Sequence, residues 1–235
     1  MDRLIQQLAP LLFTGLVGLV PLLFISFFVW MFIRARKKAE ERRRMFQQAA
    51  QMMGWAYMPA GDFAMIPNIA SYYLFTMGNA YSRKIENMMY GTVDGGRAAV
   101  FDYTYVTGSG KNRQTHYVTV AYFQSNKLRL PLFSLRPENV FHKMFGAFGY
   151  QDIDFANRPE FSRQYLLRGQ DEQNIRNVFS ERVLSFYETQ NQRLSTDAGG
   201  DQFFIYQEGV RLSPENIRPF VEWGKGLVNL FKNPW

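Results

Sequence analysis

The chain has 235 residues, 47% of them hydrophobic, 20% charged and none of them cysteine. That composition fits a globular core and excludes a disordered, collagen-like or disulfide-stapled chain, along with thiolate metal centres, iron–sulfur clusters and cysteine nucleophiles. A formal charge of +7 would point to nucleic acid or an anionic surface if it were spread over the folded part of the chain, so its location matters.

From Leu4 to Ile33 no residue is charged, and from Leu8 onward the run is almost wholly apolar. A helix needs roughly 20 apolar residues to cross a hydrocarbon core of ~30 Å, so residues 1–33 are predicted to be a transmembrane anchor. Pro21 falls mid-span, where it removes a backbone donor and is expected to kink the helix. Trp30 falls at the C-terminal interface, where an amphipathic ring is favoured. A cleaved signal peptide fits poorly, because Asp2 and Arg3 cancel, the apolar run exceeds a signal core and no small-x-small site follows. Thr14 and Gly18 make a weak small-xxx-small pair for a helix neighbour.

Arg34, Arg36, Lys37, Lys38, Arg42, Arg43 and Arg44 follow, broken by Glu40 and Glu41: seven positive and two negative charges, net +5. The positive-inside rule keeps this side cytoplasmic. The expected location is therefore the bacterial cytoplasmic (inner) membrane, single-pass, with a short N-terminus outside and the C-terminal domain in the cytoplasm. These seven residues are candidates for binding anionic membrane lipid at ~1 kcal/mol each near the surface, although a topology signal on a solvated helix is the simpler account of them. Residues 1–33 carry one acid and one base, so only +2 of the +7 is left for residues 45–235.

Met45, Phe46, Ala49, Ala50, Met52 and Met53 recur at helical spacing before Gly54, which predicts a basic juxtamembrane helix over 34–54 and a cytoplasmic domain over 55–235. Within that domain Arg97 to Thr107 and Gln114 to Phe123 alternate with period two. They flank the hairpin loop Gly108 to Arg113. Strands over Asn87 to Val93, turning at Asp94-Gly95-Gly96, and over Leu128 to Leu135 complete an expected antiparallel meander of at least four strands. Helices are expected over Pro137 to Phe145 and Pro159 to Leu167, behind an Asp171 cap around Ile175, and from Ser180. Asn191 to Asp201 reads as a polar loop, and Phe203 to Tyr206 with Val210 to Leu212 as a hairpin. Ser213-Pro214-Glu215 opens a last helix carrying Ile217, Val221, Leu227 and Phe231. The fold class expected is α+β, an N-terminal transmembrane helix followed by a domain with an antiparallel meander and several helices.

No segment supplies a convergent catalytic set. Thr107 to Asn112 lacks the first glycine and the hydroxyl of a phosphate-binding loop and lies between strands, so it reads as a hairpin tip whose Lys111 and Arg113 are possible partner contacts. His116 and His142 have no acids at ligand spacing, and Asp152-x-Asp154 has Arg158, Arg163 and Arg168 nearby to pair with, so neither a metal nor a cofactor is expected. Between Arg83 and Lys143 nine basic residues stand against four acids, but the interleaved aromatics sit at strand positions that a core must bury. A possible ligand pocket would combine Asp102, Tyr103, Tyr105 and His116 on the central hairpin.

Asn87-Met-Met-Tyr-Gly91, Phe101-Asp-Tyr-Thr-Tyr105, Gly108-Ser-Gly-Lys-Asn-Arg113 and Phe133-Ser-Leu-Arg-Pro-Glu138, behind a span and a basic collar, resemble bacterial single-span membrane-anchored proteins of unknown function. The resemblance implies fold and topology over the chain after about residue 45, and no activity. The expected function is a non-enzymatic, membrane-tethered interaction module or accessory subunit of a larger membrane complex. Its expected partners are membrane lipids and other membrane protein subunits, not nucleic acid. Two alternatives stay open: an enzyme or small-ligand binder at the 101–123 hairpin, and a sensor of anionic lipid or nucleic acid.

Overall fold

The computed structural model describes residues 2–138 and 152–232, with side chains described from Pro21 onward. The chain divides into two compact units, Met1–Arg44 and Met45–Trp235. Helix α1 runs over Asp2–Met52. Within the first unit the large apolar residues from Leu22 to Ile33 are all exposed, Leu23 at 65% and Ile33 at 48%. This exposed stretch covers about 20 Å of helix; among the described residues no helix is long and apolar enough to cross a membrane. The side chains of the preceding part of the expected span lie outside the described residues, as do His142 and all but the start of the helix expected over 137–145.

The second unit is α+β. After α1 come β1 (Ala56–Ala60), a one-turn helix α2 (Tyr73–Thr76), and the long strands β2 (Lys84–Val93), β3 (Gly96–Thr107) and β4 (Gln114–Gln124). Next are β5 (Leu130–Pro137), α3 (Pro159–Gln164), β6 (Tyr165–Gly169), α4 (Glu172–Val178) and α5 (Glu181–Glu188). The chain closes with β7 (Ser195–Gly200), β8 (Gln202–Tyr206) and α6 (Ile217–Lys232). The strands form one antiparallel sheet in the order β1-β2-β3-β4-β8-β7-β5-β6. Asp94 and Gly95 both have positive φ, 51° and 77°, as a two-residue turn matched to strand twist requires. The β3–β4 register is uninterrupted from Arg97↔Gln124 to Thr107↔Gln114.

Both faces of the sheet are buried. On one, Phe101, Tyr103, Tyr105, Val120, Phe204 and Tyr206 pack with Ile66, Ile69, Tyr72, Leu74 and Phe75 from the connection between β1 and β2. On the other, Val100, Ala121, Phe123, Phe203 and Ile205 share a core with Phe46 and Ala50 of α1, with Val221, Val228 and Phe231 of α6, and with Phe161, Phe179 and Tyr187 of the α3–α5 region. Consecutive Phe203 and Phe204 are both 0% exposed, because alternate side chains of a strand enter opposite faces and β8 is central.

Five expectations are corrected. Leu128 to Leu135 does not continue the meander beside β4: β8 takes that place with Val120↔Tyr206, while β5 pairs with β6 and β7. The expected polar loop at 191–201 contains β7, whose Ser195, Thr196 and Asp197 are buried, and it is β7, not residues 210–212, that pairs with β8. Helix α3 stops at Gln164, and Tyr165 to Leu167 belong to β6, where their apolar side chains are drawn into the sheet core. At the last helix, Pro214–Asn216 forms a 3-10 turn and the Ser213 side chain makes no capping bond; its hydroxyl accepts from Asn216 Nδ2 at 3.0 Å. By contrast, Asp171 caps α4 through Asn174 N at 3.2 Å, as its spacing predicts.

The edges of the sheet differ from its middle. Strand β1 contains Pro59, which cannot donate to a further strand. Outside β6, Ile153 N donates to Leu167 O at 2.9 Å, and Asp152 bridges to Arg168.

Two glycines of α6 test its docking on the sheet. A Cβ on Gly224 would lie 2.8 Å from the Phe123 ring, whereas one on Gly226 would meet nothing within 4 Å. Gly226→Ala is expected to stabilise the fold by about 0.5–1 kcal/mol through helix propensity. In Gly224→Ala an overpacking cost of about 1–3 kcal/mol removes that gain. Urea midpoints of the two variants, compared with the parent, check the contrast.

Candidate functional site

The β3–β4 hairpin does not assemble the four expected pocket residues. Tyr103 and Tyr105 share one face with His116, the cross-strand partner of Tyr105, whose ring stacks on Tyr105 at 4.7 Å and 14°. Asp102 alternates to the other face. There it is 1% exposed and accepts from Asn87 Nδ2 and Thr119 Oγ1, both at 2.9 Å. Thr119 Oγ1 in turn accepts from Leu212 N at 3.0 Å, and Asn87 Oδ1 accepts from the Tyr57 hydroxyl at 3.1 Å. Asp102 is thus the polar centre that ties β1, β2, β3 and β4 to residue 212. Tyr103 is fully buried against Phe75, with ring centroids 4.9 Å apart. The four residues do not form one pocket, since one of them faces away and another is packed in the core.

His116 holds a hydrogen bond of 2.7 Å between Nε2 and Thr107 Oγ1. Burial lowers its pKa below the usual imidazole value, against an opposing pull from Glu208. Lys111 lies in the 3-10 turn Gly110–Asn112 at the hairpin tip, with Arg113 next to it. Both are exposed, and neither forms a salt bridge among the described residues. In the collar, Arg34 lies over the Trp30 ring at 5.1 Å and Arg36 over Phe32 at 4.4 Å, while Arg44 pairs with Glu40 at 2.8 Å in an exposed bridge of little energetic weight. Of the acids expected to pair with arginines, Asp152 meets Arg168 at 2.6 Å; Arg158 meets Glu181 and Glu188 instead, and Arg163 meets Glu160.

The most constrained polar cluster was not expected from sequence. Arg136 on β5 has a side chain only 2% exposed. It donates from Nη2 to both Asp197 oxygens at 3.2 Å and from Nη1 to Glu208. Its guanidinium lies 4.1 Å from the Tyr73 ring centroid and 5.2 Å from that of Tyr206. Asp197 Oδ2 also accepts from Leu74 N and from the Tyr206 hydroxyl, both at 2.9 Å. Burial opposes the arginine charge, but Tyr206, Asp197 and Glu208 more than offset it and raise its pKa. Burial raises the Tyr206 pKa well above the phenolic value, so that hydroxyl stays a donor. An apolar cavity of about 60 Å³, bounded by Tyr73, Leu132, Phe133 and Leu166, opens beside Arg136 and Arg168 and has room for a few water molecules. Among the described residues no group of three or more His, Asp or Glu is placed to hold a metal ion.

Two outcomes test these assignments. Asp197→Ala leaves the buried guanidinium with Glu208 alone, and is expected to lower the unfolding free energy by about 3–5 kcal/mol; adding Arg136→Met should cost less than the two single changes together. Denaturant titration of the three variants decides it, and a loss under about 1 kcal/mol for Asp197→Ala would contradict a structural ion pair. For His116, the folded pKa lies below the unfolded one, so the unfolded chain takes up its proton first. Stability contributed at neutral pH is then lost as pH falls below the unfolded value of about 6.5. Melting temperatures of wild type should fall more steeply between about pH 7.5 and 5.5 than those of His116→Gln.

No family model and no curated protein sequence matches the chain. Its fold is similar to that of the mycobacterial trehalose monomycolate transport factor A, TtfA, seen in a crystal structure, with a TM-score of 0.57 and 12% identity over 81% of this chain and 92% of that chain. At that identity the likeness is one of fold.

Proposed function

We propose that the chain is a membrane-tethered, non-enzymatic interaction module or accessory subunit of a larger membrane protein complex. In this reading the N-terminal helix is a single-pass anchor in the bacterial cytoplasmic membrane, and residues 55–235 face the cytoplasm. The observation that carries it is α1: a row of exposed apolar side chains from Leu22 to Ile33, interrupted only by Ser26, whose hydroxyl donates to the Leu22 carbonyl, runs directly into the seven-cation collar. In water such a surface is costly, whereas in a bilayer the apolar part is buried and the collar meets anionic headgroups. The fold is similar to that of a mycobacterial transport factor, which is in keeping with an accessory role. The dispersal of Asp102, Tyr103, Tyr105 and His116 removes the geometric motive for an enzyme at the hairpin.

The decisive measurement is purification of the tagged chain from its own bacterium in mild detergent. The chain is expected to stay in the membrane fraction after an alkaline carbonate wash, to be released when residues 1–33 are deleted, and to bring companions at stoichiometric level. A chain that runs alone sinks the subunit reading; one washed off by carbonate sinks the anchor. Replacing the seven collar cations by Gln should weaken binding to anionic vesicles without affecting the companions.

A further inference from the structure

A second cleft, of about 550 Å³, lies between the β4–β5 connection, α4 and the end of α6. Lys127, Arg129 and Lys232 line it with the amides of Asn174 and Asn177, and Val178 and Phe231 form an apolar wall. None of the three cations forms a salt bridge among the described residues. Arg129 spends its Nη1 on the backbone carbonyls of Asn126 and Leu128, and Lys232 Nζ donates to the neutral Asn229 Oδ1 at 3.0 Å. Among the described residues Asp171 is the single acid lining the cleft, and both of its oxygens are engaged by Asn174, through N at 3.2 Å and Nδ2 at 2.6 Å.

Three cations against one committed carboxylate leave the cleft with an excess of about two positive charges. Holding them together is unfavourable. The Lys232 pKa is lowered, chiefly by burial; Asp94 opposes the shift, and Lys127 adds a smaller lowering pull. Elsewhere in the domain the fully buried Arg136 is neutralised by Asp197 and Glu208 and the part-buried Arg158 by Glu181 and Glu188, whereas in the cleft the exposed Lys127 and Arg129 and the part-buried Lys232 meet no such acid among the described residues. The charge a ligand must bring is therefore about −2, which is that of a phosphate monoester near neutral pH. Ammonium groups suit it, because they meet phosphate as mobile point charges and need no fixed fork geometry. The volume exceeds what a bare phosphate fills, and the Val178 and Phe231 wall offers a surface to the carbon part of the ligand.

We propose that this cleft binds a phosphate monoester, with Lys127, Arg129 and Lys232 on the phosphate and Val178 and Phe231 against the organic part. The phosphate belongs to a soluble metabolite or to a lipid headgroup, and the same side chains recognise either. None of its residues belongs to the basic collar.

Calorimetric titration of the full chain in neutral detergent at low salt tests it with two probes, glycerol 3-phosphate and dihexanoyl phosphatidic acid, with glycerol as the uncharged control. Saturable binding of either probe is expected, weakened about 5–10-fold by Lys127→Gln or Lys232→Gln and about 50-fold by both together, as charge-assisted contacts to phosphate imply. The exposed hairpin-tip change Lys111→Gln should leave affinity unaltered. Binding of glycerol 3-phosphate assigns a soluble ligand, and binding of phosphatidic acid alone assigns a lipid headgroup; either supports the site. Absence of saturable binding by both probes up to about 10 mM, or a double variant within twofold of wild type, overturns it. Lys127 is exposed, so Lys127→Gln reports on the ligand without disturbing the fold.

Discussion

A buried guanidinium between two carboxylates decides how this sheet is joined. Arg136 stands on β5, Asp197 on β7, and Glu208 just past the end of β8, so a single side chain fixes three segments far apart in sequence. Asp197 extends the grip across the face to Leu74 N, which fastens the segment covering that side. A buried ion pair is weak evidence of net stability, since desolvation of both partners cancels much of their attraction. Its effect is selective: any other register of β5 against β7 would strand an uncompensated charge in the core. The aromatic faces of Tyr73 and Tyr206 complete the enclosure of the cation.

Around that knot the two halves of the sheet are built differently. The β2–β4 half is a run of sequential hairpins whose pairing is settled locally by Asp94-Gly95 and by the tip at Gly108 to Arg113. The β5–β8 half is assembled from strands separated by helices, and its order is not the order of the chain. Strand β8 joins them, apolar on both faces because Phe203 and Phe204 serve different cores. Asp102 is the counterpart of Asp197 on the first half, a buried carboxylate satisfied by neutral donors. Both acids thus hold strands together and are not open to a ligand, which directs attention to the periphery: the collar, the hairpin tip and the cleft by α6.

What the sequence disclosed follows this division. Alternation of Phe101, Tyr103 and Tyr105 against Val118, Val120 and Tyr122 made the hairpin legible, and the Asp171 cap and the apolar face of α6 were legible from helical spacing. Strand β7 was not, because Ser-Thr-Asp-Ala-Gly-Gly has the composition of a loop; it is a strand because it pairs with β5 and β8 while Arg136, Tyr187 and Tyr206 satisfy the buried Asp197 and Thr196, and those side-chain partners lie up to 61 residues away. The same non-locality hid the place of β5. The expected pocket failed on parity: Asp102 is adjacent to Tyr103 in sequence and for that reason points to the opposite face. Arg136 is one of nine basic residues between Arg83 and Lys143, with no acid nearby in sequence but Glu138 to mark it as buried; its pairing across β5 and β7 exists only in three dimensions.

The two ends of the sheet carry a consequence for crowding. An open antiparallel sheet offers its outermost strands to any neighbour with free amides and carbonyls, and copies of one chain are the best-matched neighbours of all. Here Pro59 interrupts the donor row of β1, and residues 152 and 153 occupy part of the outer row of β6. Both terminal strands are also only five residues long. The sheet is therefore poorly suited to growing by addition of a second copy, and a chain so built can be concentrated on a surface without its domains knitting into fibres.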